Sequence, residues 1–154
     1  MKPTLLLLCA LAPSIAVAES APDFEATLLD GERVHLESFR GQVVLIEFWA
    51  TWCGPCREQL PKLAALENAI EDLVVLAVNV DKRRERVELF AERVRLPQRV
   101  LLDPEARVAD RYAIQGMPWA VLVAADGTIV WQGNRAGETY ERVREAVRRQ
   151  QESE

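Results

Sequence analysis

Two cysteines separated by two residues are the part of this sequence best suited to chemistry. Cys53 and Cys56 enclose Gly54 and Pro55, and they lie between an apolar stretch and a pattern typical of a helix. A C-x-x-C at such a strand-to-helix turn is a redox signal, because free backbone N–H groups and the helix dipole stabilise a thiolate there. Pro55 is tolerated in a first helical turn, and Gly54 adds no bulk. We expect Cys53 to be the outermost thiol and Cys56, one turn later, to be shielded.

Two other interpretations of the pair are a zinc site and a purely structural disulfide. A zinc site needs four ligands, usually from a second C-x-x-C or a pair of His, and the chain offers only His35 and one further cysteine, Cys9. A disulfide across so short a loop constrains the unfolded chain little. We therefore predict no metal, and a cysteine pair that cycles between dithiol and disulfide.

The third cysteine, Cys9, lies in a segment with the pattern of a secretory signal peptide. Residues 1–18 carry a positive charge at Lys2, continue through a short apolar run and end in Ala-Val-Ala, which is the order of a charged region, an apolar region and a cleavage site. Cleavage after Ala18 would remove Cys9 and export a domain of residues 19–154 to an oxidising compartment. The run is short for a membrane span, and an uncleaved membrane anchor is the alternative.

The composition is that of one acidic globular domain. The 154 residues are 49% hydrophobic and 28% charged, and 19 basic against 24 acidic residues give a net charge of −5. No basic field is available to hold phosphate backbones, so nucleic acid is not an expected partner. Three cysteines are also too few for a scaffold held together by disulfides. One domain with one hydrophobic core is expected.

Hydrophobic patterns predict an α/β domain in which strands and helices alternate. Residues 43–49 form an almost continuous apolar run, interrupted by Glu47, that is typical of a central strand buried on both faces. Asp-Gly pairs at 30–31 and 126–127 are hairpin signals. The predicted strands are 25–29, 33–36, 43–49, 73–80, 100–102, 120–124 and 128–131, and the predicted helices are 55–70, 83–94 and 140–147, with a polar tail at 150–154. This order indicates a mostly parallel centre with an antiparallel hairpin at the end.

Residues 48–56, Phe-Trp-Ala-Thr-Trp-Cys-Gly-Pro-Cys, resemble the thioredoxin superfamily, together with Pro61 in the following helix and Gly-Met-Pro at 116–118 before a strand. The N-terminal segment and an extra helix and strand around 83–102 are more similar to the periplasmic or membrane-associated TlpA, ResA and CcmG branch than to cytosolic thioredoxin. The resemblance covers about residues 22–148. It implies a thioredoxin fold, with a central mixed sheet flanked by helices, an N-terminal hairpin and a helix-strand insertion.

The resemblance implies catalytic roles for four residues. Cys53 corresponds to the nucleophile that attacks a partner's disulfide, and Cys56 to the thiol that resolves the mixed disulfide. Glu47 corresponds to the buried acid beneath the pair, and Pro118 to the cis-proline that faces it. The Glu47 assignment also follows from its surroundings, since burial raises the pKa of a carboxyl, which could then take the proton of Cys56. An edge-facing or ion-paired Glu47 and an ordinary trans Pro118 are the alternatives.

Substrate contacts are expected around the same turn. A cis bond at Pro118 would leave the Met117 backbone free to pair with an extended substrate chain. Trp49 is expected to pack in the core, and Trp52 to form a partly exposed lid beside the cysteines. The predicted substrate-binding residues are Trp52, Gly54, Pro55 and Met117.

Two positions depart from the usual pattern of the superfamily. Trp119 follows Pro118 where Thr is usual, and Gln59 stands three residues after Cys56 where an acidic residue is common. The resemblance therefore does not predict the choice of partner or the redox potential.

The function implied by the resemblance is that of a periplasmic thiol-disulfide oxidoreductase. It would reduce disulfides in protein substrates as a monomer, without a cofactor, and a thiol-disulfide electron donor in the membrane would recharge it. Cytochrome c maturation is one role of the branch. A thiol peroxidase is an alternative, although the Pro-x-x-x-Thr/Ser-x-x-Cys arrangement is absent around Cys53. Another is a non-catalytic module, either a chaperone or a Cu(I) carrier that uses the two thiols as soft ligands.

Overall fold

A seven-stranded mixed sheet forms the centre of the fold. The structure is a computed structural model that describes residues 19–134 and 136–153. The strands are β1 (Glu25–Leu28), β2 (Arg33–His35), β3 (Val43–Trp49), β4 (Leu73–Asn79), β5 (Arg99–Leu102), β6 (Trp119–Val123) and β7 (Ile129–Gly133). The helices are α1 (Gly54–Ala69), α2 (Arg84–Ala91), α3 (Arg107–Arg111) and α4 (Ala136–Ser153), with a short 3₁₀ helix at Leu36–Phe39. The order of strands across the sheet is β2-β1-β5-β4-β3-β6-β7.

The sheet is parallel at its centre and antiparallel at both edges. β3 and β5 run parallel to β4 on either side of it. β6 is antiparallel to β3 and β7 to β6, while β1 pairs antiparallel with both β2 and β5. The two predicted hairpins turn at Gly31 and Gly127, whose φ angles of 96° and 88° glycine adopts without strain. The predicted thioredoxin fold is confirmed.

β3 is buried along its whole length, as its apolar sequence predicts. Because successive side chains of a strand point to opposite faces, Val44, Ile46 and Phe48 enter the core shared with β1 and α3. Val43 and Leu45 lie on the other face, under α1 and α4. Each fully buried aliphatic side chain contributes about 1.5–3 kcal/mol relative to an exposed one, so β3 is a firm base for the turn that follows it.

Several helices differ from their predicted bounds. α2 ends earlier than predicted, at Ala91, three residues before the last residue of its predicted apolar stripe, Val94. The 3₁₀ helix and α3 have four and five residues, too few for a hydrophobic pattern to reveal a helical period. α4 continues to Ser153 through the tail that was expected to be irregular, and Arg149 pairs there with Glu145 four residues earlier.

The N-terminal segment 1–18 lies outside the described residues, so the signal peptide stays a prediction. Ser20, just after it, forms an isolated bridge with Thr128, which ties the start of the described chain to the β6–β7 hairpin. Within residues 19–134 and 136–153, no helix is both long and apolar enough to cross a membrane.

Candidate active site

The turn between β3 and α1 carries the two cysteines, which are joined in a disulfide. Cys53 occupies the N-cap position of α1, and the Cys56 backbone N–H donates to Cys53 Sγ over 3.3 Å. The two Cα atoms are 5.3 Å apart. Pro55 lies in the first helical turn, where its missing N–H leaves no helical hydrogen bond unmade. On reduction, a thiolate at Cys53 would face backbone N–H groups and the positive end of the helix dipole, which stabilise the anion.

The residues next to and between the cysteines differ from them in exposure. Cys53 is 6% exposed and Cys56 is fully buried; this is the predicted order, although Cys53 is more enclosed than we expect for an outermost thiol. Gly54 and Pro55 are exposed. Trp52, directly before Cys53, is 65% exposed. An exposed indole at this place offers a large apolar contact to another protein.

Trp49 supports the turn from inside the core. Its side chain is buried and lies 5.5 Å from the Phe90 ring, with an interplanar angle of 43°. The same apolar cluster contains both cysteines and Val87 of α2. The predicted packing role of Trp49 is confirmed, and α2 is part of the support of the disulfide.

A second loop, at the start of β6, completes the site. The Met117–Pro118 peptide bond is cis, and Met117 packs against the apolar cluster that contains both cysteines. Trp119 begins β6, is half-buried and pairs in register with Phe48 of β3. The antiparallel pairing of β3 with β6 therefore brings the loop before β6 to the cysteine turn after β3.

Glu47 lies on β3 on the same face as Trp49, two residues before it. Its side chain is fully buried, and neither carboxylate oxygen has a hydrogen-bond partner among the described residues. Its neighbours in register are Ala77 of β4 and Ala120 of β6, whose small side chains leave room for the carboxyl. Burial raises the pKa of Glu47 well above its usual range. The edge-facing and ion-paired alternatives are wrong, and the ionised carboxylate is a base suited to accepting a proton.

Tyr140 of α4 is a second buried polar group near Glu47, and the sequence does not reveal it. Tyr140 packs on the apolar cluster that includes Ala120, and its hydroxyl has no hydrogen-bond partner in the described part of the chain. Burial raises the pKa of Tyr140, and the negative charge of Glu47 raises it further. No pattern along the chain links the two residues, because α4 reaches β3 only through the tertiary fold.

Comparison with known proteins places the chain in a family. The profile of the AhpC/TSA family matches residues 17–132. The chain belongs to the AhpC/TSA family. Thiol-disulfide oxidoreductase ResA of Geobacillus kaustophilus is 32% identical to it over 139 residues, which cover 88% of this chain and 80% of ResA. Thioredoxin-like protein YneN of Bacillus subtilis is 35% identical over 119 residues, which cover 75% of this chain and 69% of YneN.

A solved structure that resembles this AhpC/TSA protein carries the same kind of name as these relatives. A crystal structure assigned to the thiol:disulfide interchange protein DsbE of Chlorobium tepidum matches with a TM-score of 0.74 and 31% identity, over 84% of this chain and 96% of that one. With a C-x-x-C disulfide at the start of α1, these relatives identify the protein as a thiol-disulfide oxidoreductase with a thioredoxin fold.

A buried polar network holds the cysteine turn of this AhpC/TSA protein, and the sequence analysis misses it. Asp81 follows β4, and its carboxylate accepts the Thr51 N–H at 2.7 Å and the Thr51 hydroxyl at 2.8 Å. The Asn79 amide donates to the same carboxylate at 2.9 Å, and the Asp81 N–H donates to the Asn79 side-chain oxygen. The carboxyl ends of the parallel strands β3 and β4 meet at one edge of the sheet. An acidic residue just after β4 is therefore the sequence feature that could have predicted a contact with the cysteine turn.

Asp81→Ala should destabilise the oxidised protein by about 2–4 kcal/mol, because it removes the acceptor of one buried donor, on Asn79, and of two half-buried donors, on Thr51. An unsatisfied buried donor costs about 1–3 kcal/mol. Urea unfolding at pH 7 measures the loss. Asp126→Ala is the matched control, since Asp126 also accepts the N–H and hydroxyl of one threonine, Thr128, but on an exposed turn. The control should lose less than about 1 kcal/mol. Equal losses in the two variants would show that the Asp81 network adds nothing to the turn.

Proposed function

We propose that this thiol-disulfide oxidoreductase is exported to the periplasm, where it reduces disulfides in other proteins. The observation that carries the proposal is the Cys53–Cys56 disulfide at the N-terminus of α1. The cis bond at Pro118, just before β6, and the buried Glu47 on β3 support it. The pattern of residues 1–18, with cleavage after Ala18, supports export. An uncleaved anchor would leave the same site facing the periplasm.

The reducing cycle starts from the dithiol. The Cys53 thiolate attacks one sulfur of a substrate disulfide, and the other substrate sulfur leaves as a thiolate that takes a proton from solvent. Cys56 then attacks Cys53 Sγ in the mixed disulfide, its thiol proton passes to Glu47, and the second substrate sulfur leaves and is protonated. The substrate gains two electrons and two protons. The enzyme ends in the disulfide state that the structure describes.

Protein substrates are proposed to bind over the exposed surface around the disulfide. Trp52 supplies an apolar contact there, and the exposed Gly54 and Pro55 allow a second chain to approach Cys53. The Met117 backbone, just before the cis bond, is available to pair with an extended segment of the substrate. No step of the cycle needs a cofactor.

Repeated cycles need a donor of two electrons. We assign this role to a thiol-disulfide protein of the membrane, because the dithiol has to be restored outside the reducing cytoplasm. Cytochrome c maturation is the narrower role that we propose. Haem attaches to C-x-x-C-H motifs, and an oxidising compartment favours the disulfide form of such cysteines until a reductase acts on them.

The reduction potential of the Cys53–Cys56 pair tests the direction of exchange. Equilibration in glutathione buffers, followed by thiol labelling and mass spectrometry, should give a value more negative than about −200 mV, as in glutaredoxins and thioredoxin. A value near about −120 mV, that of a strong oxidant, would reverse the proposed direction.

Fractionation and N-terminal sequencing should find a periplasmic chain that begins at Glu19. A full-length chain confined to the cytoplasm would end the proposal of export.

A further inference from the structure

One side of helix α2 carries arginines without acidic partners. Arg86 lies on α2 about one turn before Phe90, and Arg93 lies in the turn that follows α2, three residues after Phe90. Neither forms an ion pair with any residue that the structure describes. Leu89 lies between them, three residues after Arg86 and four before Arg93, and it is 53% exposed. Residues at these spacings share one face of a helix. The Glu92 N–H still donates to the Glu88 carbonyl and the Val94 N–H to the Phe90 carbonyl, so the helical arrangement continues past Ala91. The face formed by α2 and the turn after it is therefore cationic with an exposed apolar centre.

The acidic residues of α2 lie on a different face. Glu85, Glu88 and Glu92 follow one another at helical spacing, and their stripe is rotated by about a third of a turn from that of the arginines. Two of these carboxylates are already paired, Glu85 with Arg83 at 3.7 Å and Glu88 with Arg84 at 2.6 Å. The charges of α2 are thus separated, and the acidic stripe does not neutralise the exposed arginines.

The cationic face of α2 adjoins the disulfide through Arg57. Arg57 directly follows Cys56, and its guanidinium carbon lies 5.7 Å from the centroid of the Phe90 ring. Phe90 in turn packs on Trp49, in the same cluster as the cysteines. The surface therefore runs from the cysteine turn over Phe90 to the outer side of α2. We call Arg57, Arg86 and Arg93, with Leu89 and Phe90 between them, the arginine edge.

The charge of the arginine edge is opposite to that of the whole chain. The chain has a formal charge of −5, so the protein as a whole repels acidic partners. Positive charge beside the disulfide is needed for such partners to be attracted to the site. Arg57, Arg86 and Arg93 form no ion pair within residues 19–134 and 136–153. These three cations create a local positive potential at this place, which attracts acidic surfaces and speeds their encounter with the site. The exposed Leu89 adds the apolar contact that a protein, unlike a free anion, can use.

We propose that the arginine edge docks protein partners that carry acidic residues beside their reactive cysteines. The proposal rests on the proposed function for the reaction that follows docking, but docking itself acts on exchange in either direction. Because the attraction is electrostatic and exposed to solvent, it should raise the rate of association and weaken as salt is added.

The test compares two disulfide peptides of identical sequence except that four residues flanking the cysteines are Glu in one and Gln in the other. The double variant R86E/R93E should exchange with the Glu peptide about tenfold more slowly than wild type at low ionic strength. With the Gln peptide the two proteins should differ by less than about twofold, and in about 0.5 M NaCl the deficit with the Glu peptide should largely disappear.

The matched control is R144E/R148E, which changes the net charge by the same amount. Arg144 and Arg148 are exposed on α4, which packs on β3, β6 and β7, and neither forms an ion pair among the described residues. This variant should differ from wild type by less than about twofold with either peptide. Unfolding midpoints of both variants confirm that the fold is retained.

Exchange is measured in both directions, from reduced enzyme to disulfide peptide and from oxidised enzyme to dithiol peptide. If the equilibrium favours oxidised peptide, the proposed reductase function fails, while a tenfold selective effect of R86E/R93E on the forward and reverse rates would still support docking. Equal losses with the Glu and Gln peptides, or an equal effect of R144E/R148E, would overturn the docking proposal. The docking proposal would also be overturned if R86E/R93E exchanged with both peptides at the wild-type rate but no longer bound vesicles of anionic phospholipid. That result would identify the arginine edge as a membrane contact.

Discussion

Cys53→Ser should abolish catalysed reduction of insulin disulfides, whereas Cys56→Ser should stop the reaction one step later, at a mixed disulfide. Only a thiolate attacks a disulfide sulfur, and Cys53 is the cysteine at the helix N-cap with some exposure. Its replacement should reduce turnover by at least about a thousandfold, the scale on which enzymes lose activity with their nucleophile. The fully buried Cys56 meets the substrate only through Cys53 Sγ, so its loss should leave the first step intact.

The two serine variants control each other, since each removes one sulfur and keeps the size of the side chain. Non-reducing electrophoresis and mass spectrometry should find a covalent adduct with a substrate protein on Cys53 of the Cys56→Ser variant. The Cys53→Ser variant should form no adduct. An adduct on Cys56 instead would exchange the two proposed roles, and undiminished turnover in both variants would end the catalytic assignment. The trapped protein would also identify a natural substrate.

The parts of the fold that the sequence predicts well are those in which one physical rule acts alone. β3 and β4 are long apolar runs because both faces of a central parallel strand are buried, and the hairpin at Gly127 is marked by Asp126 before it. Helix ends are harder, because exposed charged residues are compatible with both helix and coil. α2 ends at Ala91, before the last residue of its predicted apolar stripe, Val94, and α4 extends past its own apolar stripe.

The same distinction applies to the active site. The spacing of Cys53 and Cys56 is local, and a carboxylate within an apolar strand marks Glu47, so the sequence predicts both features. The bond between Asp81 and Thr51 joins residues 30 positions apart. Only the pairing of β3 with β4 brings them together, and the support of the cysteine turn therefore becomes visible only in the structure.

Glu47→Gln should make the oxidised protein more resistant to unfolding at high pH. The pKa of Glu47 is raised by burial in the folded state, so the folded protein retains a proton that the unfolded chain releases above about pH 4.3. Between the unfolded and the folded pKa, the free energy of unfolding of wild type should fall as pH rises, by about 1.4 kcal/mol per pH unit. Below the unfolded pKa both states hold the proton and this loss is absent. The Gln variant has no such proton to lose.

Urea unfolding at pH 4 and pH 8 measures this effect as a difference. Relative to wild type, the variant should gain more than about 1 kcal/mol on going from pH 4 to pH 8. Glu67→Gln is the matched control, because the buried Glu67 carboxylate accepts the N–H groups of Val75 and Gln98 and pairs with Arg99. The control should instead lose about 1–3 kcal/mol at pH 8. A similar loss in Glu47→Gln would mean that Glu47 has a stabilising partner.

The same Glu47→Gln change should slow the resolution of the mixed disulfide, because an amide cannot accept the Cys56 proton. Loss of a general base costs about a hundredfold or more, measured as the decay of a preformed mixed disulfide at pH 7. The deficit should shrink as the pH is raised, because hydroxide can then take the thiol proton in place of the carboxylate. A purely structural effect of the substitution would not depend on pH in this way. A variant that is more stable at pH 8 but resolves the mixed disulfide as fast as wild type would show that the buried carboxyl is not the proton acceptor.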